Sequence, residues 1–318
     1  MNRVALLIIF NHNYEGNLDR LSELYSSRFQ NIWFIMPFYT GSRKDVIAVY
    51  ENSFYFQGYV TTALKAIELL NFDHYFFISD DLYLNPEINE ANYREYFRVD
   101  ETTAFIPGIF SLNDSAETRP FRPHSPWWPH LQSAIQFTTD QRGIEVAKML
   151  PTYEEALTLL AKHGFAFSGN LDRKMFFGKN VFRGIRRKKD VSLNIERLKL
   201  LSDNFKYILR GAKLQYPLVG SYSDIFIIPR KNANQFSLYC GIFSALHLFV
   251  EIAIPTALCL SADKIVMEDQ LGLKGETYWR SEGIRECERT YKKSLNYLYM
   301  NFPREKLYIH PVKLSRWT

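Results

Sequence analysis

The stretch His74-Tyr75-Phe76-Phe77-Ile78-Ser79-Asp80-Asp81-Leu82-Tyr83-Leu84 constrains this chain more than any other. Tyr75 to Ile78 reads as a short buried strand, so the two adjacent carboxylates fall at its carboxyl end, where open α/β sheets place their ligand crevice. Neighbouring acids repel each other and lose hydration near a core, so they are better tolerated where a divalent cation or hydrogen-bond donors compensate them. The alternative is a solvated strand-to-turn junction with capping acids.

The preceding residues support the first reading. Val4 to Phe10 has the pattern of a buried strand, and Asn11-His12-Asn13-Tyr14 follows as a polar loop. Leu18, Leu21, Leu24 and Tyr25 recur at helical spacing, and Asn31 to Tyr39 resumes a strand pattern. Val46 to Tyr50 adds a short strand, and Gly58 to Leu70 reads as a helix that delivers the chain to the Asp80-Asp81 strand. Strands alternating with helices predict a doubly wound, largely parallel sheet. The segment contains neither Gly-x-Gly-x-x-Gly nor a Walker pattern, so a carboxylate-held metal is the natural substitute for binding phosphate.

With 318 residues, 23% charged and 47% hydrophobic, the chain has the balance of a globular protein, and 25 Phe with 20 Tyr make it rich in aromatics. Such an excess suits a carbohydrate or nucleotide cleft and equally a bulky core. The net charge of +5 is modest. Without zinc spacing, an RNA-binding signature or a broad basic bias, nucleic-acid binding is not expected. The basic run Arg183 to Lys189 would suit a phosphorylated ligand or a peripheral contact with an anionic membrane. Cys240, Cys259 and Cys287 lack metal or disulfide spacing and fit a reducing compartment. The short apolar run after Met1-Asn2-Arg3 lacks a small-residue cleavage site, so a first strand and a cytoplasmic protein are expected, with the inner face of the membrane left open. Gln235 to Ala262 carries Glu251 as its single charge over a length that could span a bilayer. Glu251, His247, Gln235 and Pro255 would be costly in lipid, so a buried helical hairpin or broken helix is expected.

Further along, Thr103 to Phe110 resembles a strand, and Ser111 to Pro129, with Trp127-Trp128 between prolines, marks a long loop or lid suited to sugar stacking or to anchoring on the body. Thr152 to His163 is an amphipathic helix capped by Gly164, and Val191 to Leu209 reads as another. Pro217 to Pro229 returns to strand character with Asp224 at its centre. Glu251, within Val250-Glu251-Ile252-Ala253-Ile254-Pro255, is either paired with a buried base or desolvated into one. The tail Leu307 to Ser315 carries His310 and Lys313, which together suit a metal and a phosphate.

The strand-helix-strand opening, Ser79-Asp80-Asp81 at a strand end, the missing glycine loop and the later isolated acids resemble the GT-A fold glycosyltransferases, most closely over Val4 to Pro86. The resemblance implies a mixed α/β sheet flanked by helices with a largely helical acceptor-side region, residues 1–110 forming the nucleotide-sugar half and 111–318 the acceptor-side and completing region. In that class an Asp-x-Asp motif holds a divalent cation that bridges a donor diphosphate. Here Ser79 replaces the first acid, which leaves Asp81 as the implied metal ligand and Asp80 as a donor-sugar or ribose contact. His310 is the position that would complete the shell around Mn2+ or Mg2+, and Lys313 would neutralise a phosphate. Glu251 or Asp224 is the candidate base, and Asn11, Asn13 and Gln57 are candidate nucleotide contacts. The implied donor is a nucleotide sugar, a UDP-sugar first, and the acceptor a glycan or lipid-linked glycan of the kind found in bacterial surface polysaccharide. The rivals are a metal-dependent nucleotidyltransferase or phosphohydrolase, and a non-catalytic carbohydrate-binding assembly protein.

Overall fold

A computed structural model describes residues 3–112, 134, 144–167, 191, 194–195, 198–199, 201–202, 205, 209, 214, 216–279 and 281–318. Its strands in chain order are β1 (Val4–Ile9), β2 (Asn31–Pro37), β3 (Val46–Val49), β4 (His74–Ser79), β5 (Tyr83–Leu84), β6 (Thr103–Phe105), β7 (Phe110–Ser111), β8 (Val219–Gly220), β9 (Ile225–Pro229), β10 (Lys264–Val266), β11 (Lys274–Thr277) and β12 (Lys306–His310). The chain divides into two compact units, one of Met1–Gly108, Tyr222–Leu238 and Ser261–Thr318, the other of Ile109–Ser221 and Tyr239–Leu260.

The first unit is built on a seven-stranded sheet of order β10-β6-β9-β4-β1-β2-β3. β1 pairs in parallel with β2 and β4, β2 with β3, and β10 with β6, while β9 runs antiparallel to β4 and β6. The sheet is therefore mixed, the α/β class expected. Every residue of β1, β4 and β9 is buried, which is why these segments read as continuous apolar runs without alternation. Helix α1 (Leu18–Ser26) buries Leu18, Leu21 and Tyr25, and α2 (Gln57–Ile67) buries Tyr59, Val60, Ala63, Leu64 and Ile67. Phe76 of β4 packs edge-on against Phe97 at 5.1 Å. Its truncation to alanine would cost about 3–5 kcal/mol.

A second sheet of order β11-β12-β5 follows the acid pair. Gly275 is required there, because a Cβ would stand 2.0 Å from the Tyr308 ring. The Arg20 guanidinium donates to the carbonyls of Leu314 at 2.6 Å and Trp317 at 2.8 Å, which fastens the tail to α1.

In the second unit β7 and β8 pair antiparallel. Helix Tyr153–Lys162 starts at a capping box of Thr152 and Glu155 and stops at Gly164, whose φ of +84° favours glycine. The apolar stretch from Gln235 to Ala262 falls in two helices, Arg230–Ala245 and Val250–Ser261, parted at His247 with a φ of 54°. No helix among the described residues is long and apolar enough to cross a membrane.

Two expected strands break. Thr103 to Phe110 splits into β6 and β7 around Pro107-Gly108, since proline offers no N–H to a ladder and glycine weakens one. Pro217 to Pro229 splits into β8 and β9 around Ser221 to Asp224. Trp127-Trp128 and the basic run Arg183 to Lys189 lie outside the described residues. Between 191 and 209 the described residues are helical and the others lie outside.

Candidate functional site

The site forms where three chain directions meet at the carboxyl end of β4. Parallel pairing sets Ile9 beside Ser79, and the N–H of Asp80 continues the ladder to the Ile9 carbonyl at 2.9 Å. Because β9 runs the other way, its start lies beside the end of β4, and the N–H of Ser79 donates to the Asp224 carbonyl at 2.8 Å. β5 follows the acids directly and pairs antiparallel with β12, after which the N–H of Val312 donates to the Asp81 carbonyl at 2.7 Å. The backbone thus delivers Asp224, His310 and Lys313 to Asp80 and Asp81.

Asp81 is buried and carries the most contacts. Its Oδ1 accepts from Ser79 Oγ at 3.1 Å and lies 3.1 Å from His310 Nε2, while its Oδ2 is paired with the Lys313 ammonium. His310 Nε2 is also 3.8 Å from Asp224 Oδ1. The buried His310 Nδ1 has no hydrogen-bond partner among the described residues. Ser223 Oγ, next to Asp224, is likewise buried without one.

These neighbours separate three carboxyls of one chemical type. Burial opposes ionisation of Asp81, but the hydrogen bond and charge of His310, with the Lys313 ammonium, hold it well below the usual carboxylate range. Burial and the charge of Asp81 push Asp80 up to about 7, although Lys313 and the N–H of Asn11 work against that. Burial also raises Asp224, with His310 and Lys313 pulling down and Asp81 adding to the rise. His310 is raised because Asp224 and Asp81 together outweigh its burial. The arrangement is an ionised carboxylate clasped by the Lys313 ammonium and the His310 imidazole, flanked by two carboxyls that hold protons more tightly than usual. Such a cluster can bind a polyanion and can accept a proton near neutral pH.

The other anticipated residues are placed differently. Asn11 reaches the site through its backbone, whereas Asn13 Nδ2 donates to the Phe38 carbonyl at 2.9 Å. Gln57 is fully buried in the first turn of α2. Glu251 belongs to the second unit, at the start of helix Val250–Ser261, where its carbonyl accepts the Ser221 N–H at 2.9 Å.

Two aromatic features escaped the sequence reading. Trp279, 51% exposed, stacks on Tyr222 at 4.9 Å and meets the His310 ring edge-on at 5.6 Å. Phe38, 56% exposed, has a φ of 53° at the carboxyl end of β2 and meets the exposed Tyr50 at 6.1 Å. Neither carries a sequence signal, since a bulky residue in a glycine conformation and a stack between distant residues leave no local pattern.

Among the described residues no three His, Cys, Asp or Glu side chains converge on one point as a complete metal site. Asp81 Oδ1 and His310 Nε2, 3.1 Å apart, are nonetheless spaced like adjacent ligands of one small hard cation, for which bond lengths of about 2.1 Å give an edge of about 3 Å.

No protein-family model matches the chain. No curated protein matches it. Among solved structures it is similar to core-mannan synthase A of Aspergillus fumigatus in its Mn/GDP form, at 12% identity over 86% of this chain and 74% of that one, with a TM-score of 0.36. At that score the likeness decides nothing about activity, and the side chains around Asp81 must.

Proposed function

We propose that the protein is a GT-A-like glycosyltransferase that moves a sugar from a nucleoside-diphosphate sugar to a glycan or lipid-linked glycan. The observation that carries this is the clasp of Asp81 by His310 and Lys313 at the carboxyl end of a largely parallel sheet. Asp81 and His310 would hold Mn2+ or Mg2+, which when bound supplies charge to a departing diphosphate. Lys313 would meet a phosphate oxygen, and Asp80, beside the loop that follows β1, would contact the ribose or the donor sugar.

In an inverting transfer the acceptor oxygen bonds to the anomeric carbon as the bond to the diphosphate breaks, and the hydroxyl proton must go to a base. Asp224 is better placed for this than Glu251, because it lies 3.8 Å from His310 and its proton affinity is raised. A UDP-sugar donor, an acceptor in bacterial surface polysaccharide and an association with the inner face of a membrane belong to the same proposal. Cytoplasmic residence is supported by three buried free thiols.

The gathering of Asp224 with the acid pair favours a second reading, a metal-dependent nucleotidyltransferase or phosphohydrolase. Products separate the two. Incubation with UDP- and GDP-sugars, Mn2+ and a glycan mixture should release nucleoside diphosphate together with a glycosylated product. Release of sugar 1-phosphate, with the nucleoside monophosphate freed or transferred to an acceptor, instead would replace the first reading by the second.

A further inference from the structure

Trp279 is held in place from two directions. The N–H of Tyr278, the residue before it, donates to the His310 carbonyl at 2.8 Å, which ties it to the end of β12. Its indole lies nearly parallel to the ring of Tyr222, 4.9 Å away with 23° between planes, and Tyr222 stands two residues before Asp224. The stack is thus anchored to the same two segments that bring His310 and Asp224 to the acid pair. A half-exposed indole at such a point costs hydrophobic burial, which a ligand with an apolar face would recover.

We infer that Trp279, backed by Tyr222, is the platform on which the acceptor sugar stacks. A pyranose presents one face of C–H groups to an aromatic ring while its hydroxyls remain free for carboxyl groups, and Asp224 with His310 lies at the platform's edge. The sheet order separates this ligand from the nucleoside. β1 and β2 lie on one side of β4 and β9 on the other, so a nucleoside over the β1 and β2 ends leaves the Tyr222 side to the sugars. Trp279 keeps 51% of its surface exposed, which leaves it reachable by an acceptor from solvent, whereas the transferred sugar would be tied to the diphosphate at Asp81. This inference rests on the glycosyltransferase reading.

The test is steady-state kinetics of Trp279→Ala and Trp279→Phe on full-length protein with separately varied donor and acceptor. Trp279→Ala should raise the acceptor KM roughly tenfold with the donor KM unmoved, and Trp279→Phe should restore most of the loss. An unmoved acceptor KM, or a parallel rise in both constants, overturns the assignment. If Trp279→Ala does not fold, Trp279→Leu, which keeps apolar bulk without a flat face, is read in the same way. Should wild-type protein turn over no donor, the enzymatic reading has failed by itself. The platform is then read by indole fluorescence titrated with methyl α-mannoside and methyl β-glucoside. A quench lost in Trp279→Leu upholds the stacking site, and a quench absent in wild type or retained in the variant overturns it.

Discussion

Two buried histidines of the first unit, His74 and His310, behave in opposite ways. His74 opens β4 and has both nitrogens engaged by neutral groups, Nε2 with the Asp100 carbonyl at 2.9 Å and Nδ1 with the Tyr93 hydroxyl at 2.8 Å. A carbonyl can only accept, so Nε2 carries the proton and Nδ1 accepts from Tyr93. Burial pushes the pKa of this ring down. His310, beyond the opposite end of β4, faces two carboxylates through Nε2 and leaves Nδ1 without a partner among the described residues, and its pKa rises in spite of burial. Burial alone therefore does not distinguish scaffold from site. A ring closed on both sides by neutral partners is a piece of core, whereas one whose Nε2 faces two carboxyls is placed where a cation or a proton can be shared with them.

The largest expected effect breaks the second of these environments. Asp81→Asn, close to isosteric, should lower nucleoside-diphosphate release about 100-fold or more while leaving a cooperative thermal transition, measured by coupled assay and calorimetry. Wild-type turnover in the variant would remove Asp81 from the site. Next, Asp224→Asn should cut turnover about 100-fold with nucleotide affinity preserved, and Glu251→Gln should cut it far less. If the order of these two variants is reversed, the base lies in the second unit.

The His74 environment should fail in the other currency. His74→Phe leaves the Asp100 carbonyl and the Tyr93 hydroxyl without their partner, so it should cost about 1–3 kcal/mol in urea unfolding with specific activity retained. The sign of its pH dependence follows from the depressed pKa. The unfolded ring binds a proton below its ordinary value of 6.5, the folded ring resists, and so stability is full above that pH and declines as pH falls below it. His74→Phe should flatten this decline. The smallest effect concerns the rim. Phe38→Gly removes a left-handed conformation unfavourable to a bulky residue and should be neutral or stabilising by about 1 kcal/mol, after the entropy cost of glycine is subtracted.

The contrast also explains how far the sequence could be read. β1 and β4 announce themselves because strands buried on both faces are unbroken apolar runs, and α1 and helix Tyr153–Lys162 because one face repeats at helical spacing. Asp80-Asp81 was legible as the abrupt end of such a run. Its partners were legible only as residue types, since the contact from His310 to Asp81 spans 229 residues and depends on an antiparallel β5–β12 pairing that no local pattern encodes. The sequence pattern runs Asp224 into a continuous strand, whereas it precedes β9, and only the antiparallel direction of that strand brings it to the acid pair. The Trp279–Tyr222 stack joins residues 57 apart by subtraction of their numbers and was invisible for the same reason.

The central claim is that Asp81, His310 and Lys313 form a diphosphate site that works with a divalent cation. Calorimetric titration of UDP and GDP into the protein tests it most directly, with Mn2+, with chelator, and in Asp81→Asn. The account predicts binding of at least one nucleotide with Mn2+, weakened about tenfold or more by chelator and lost in the variant. Equal affinity under all three conditions would contradict it.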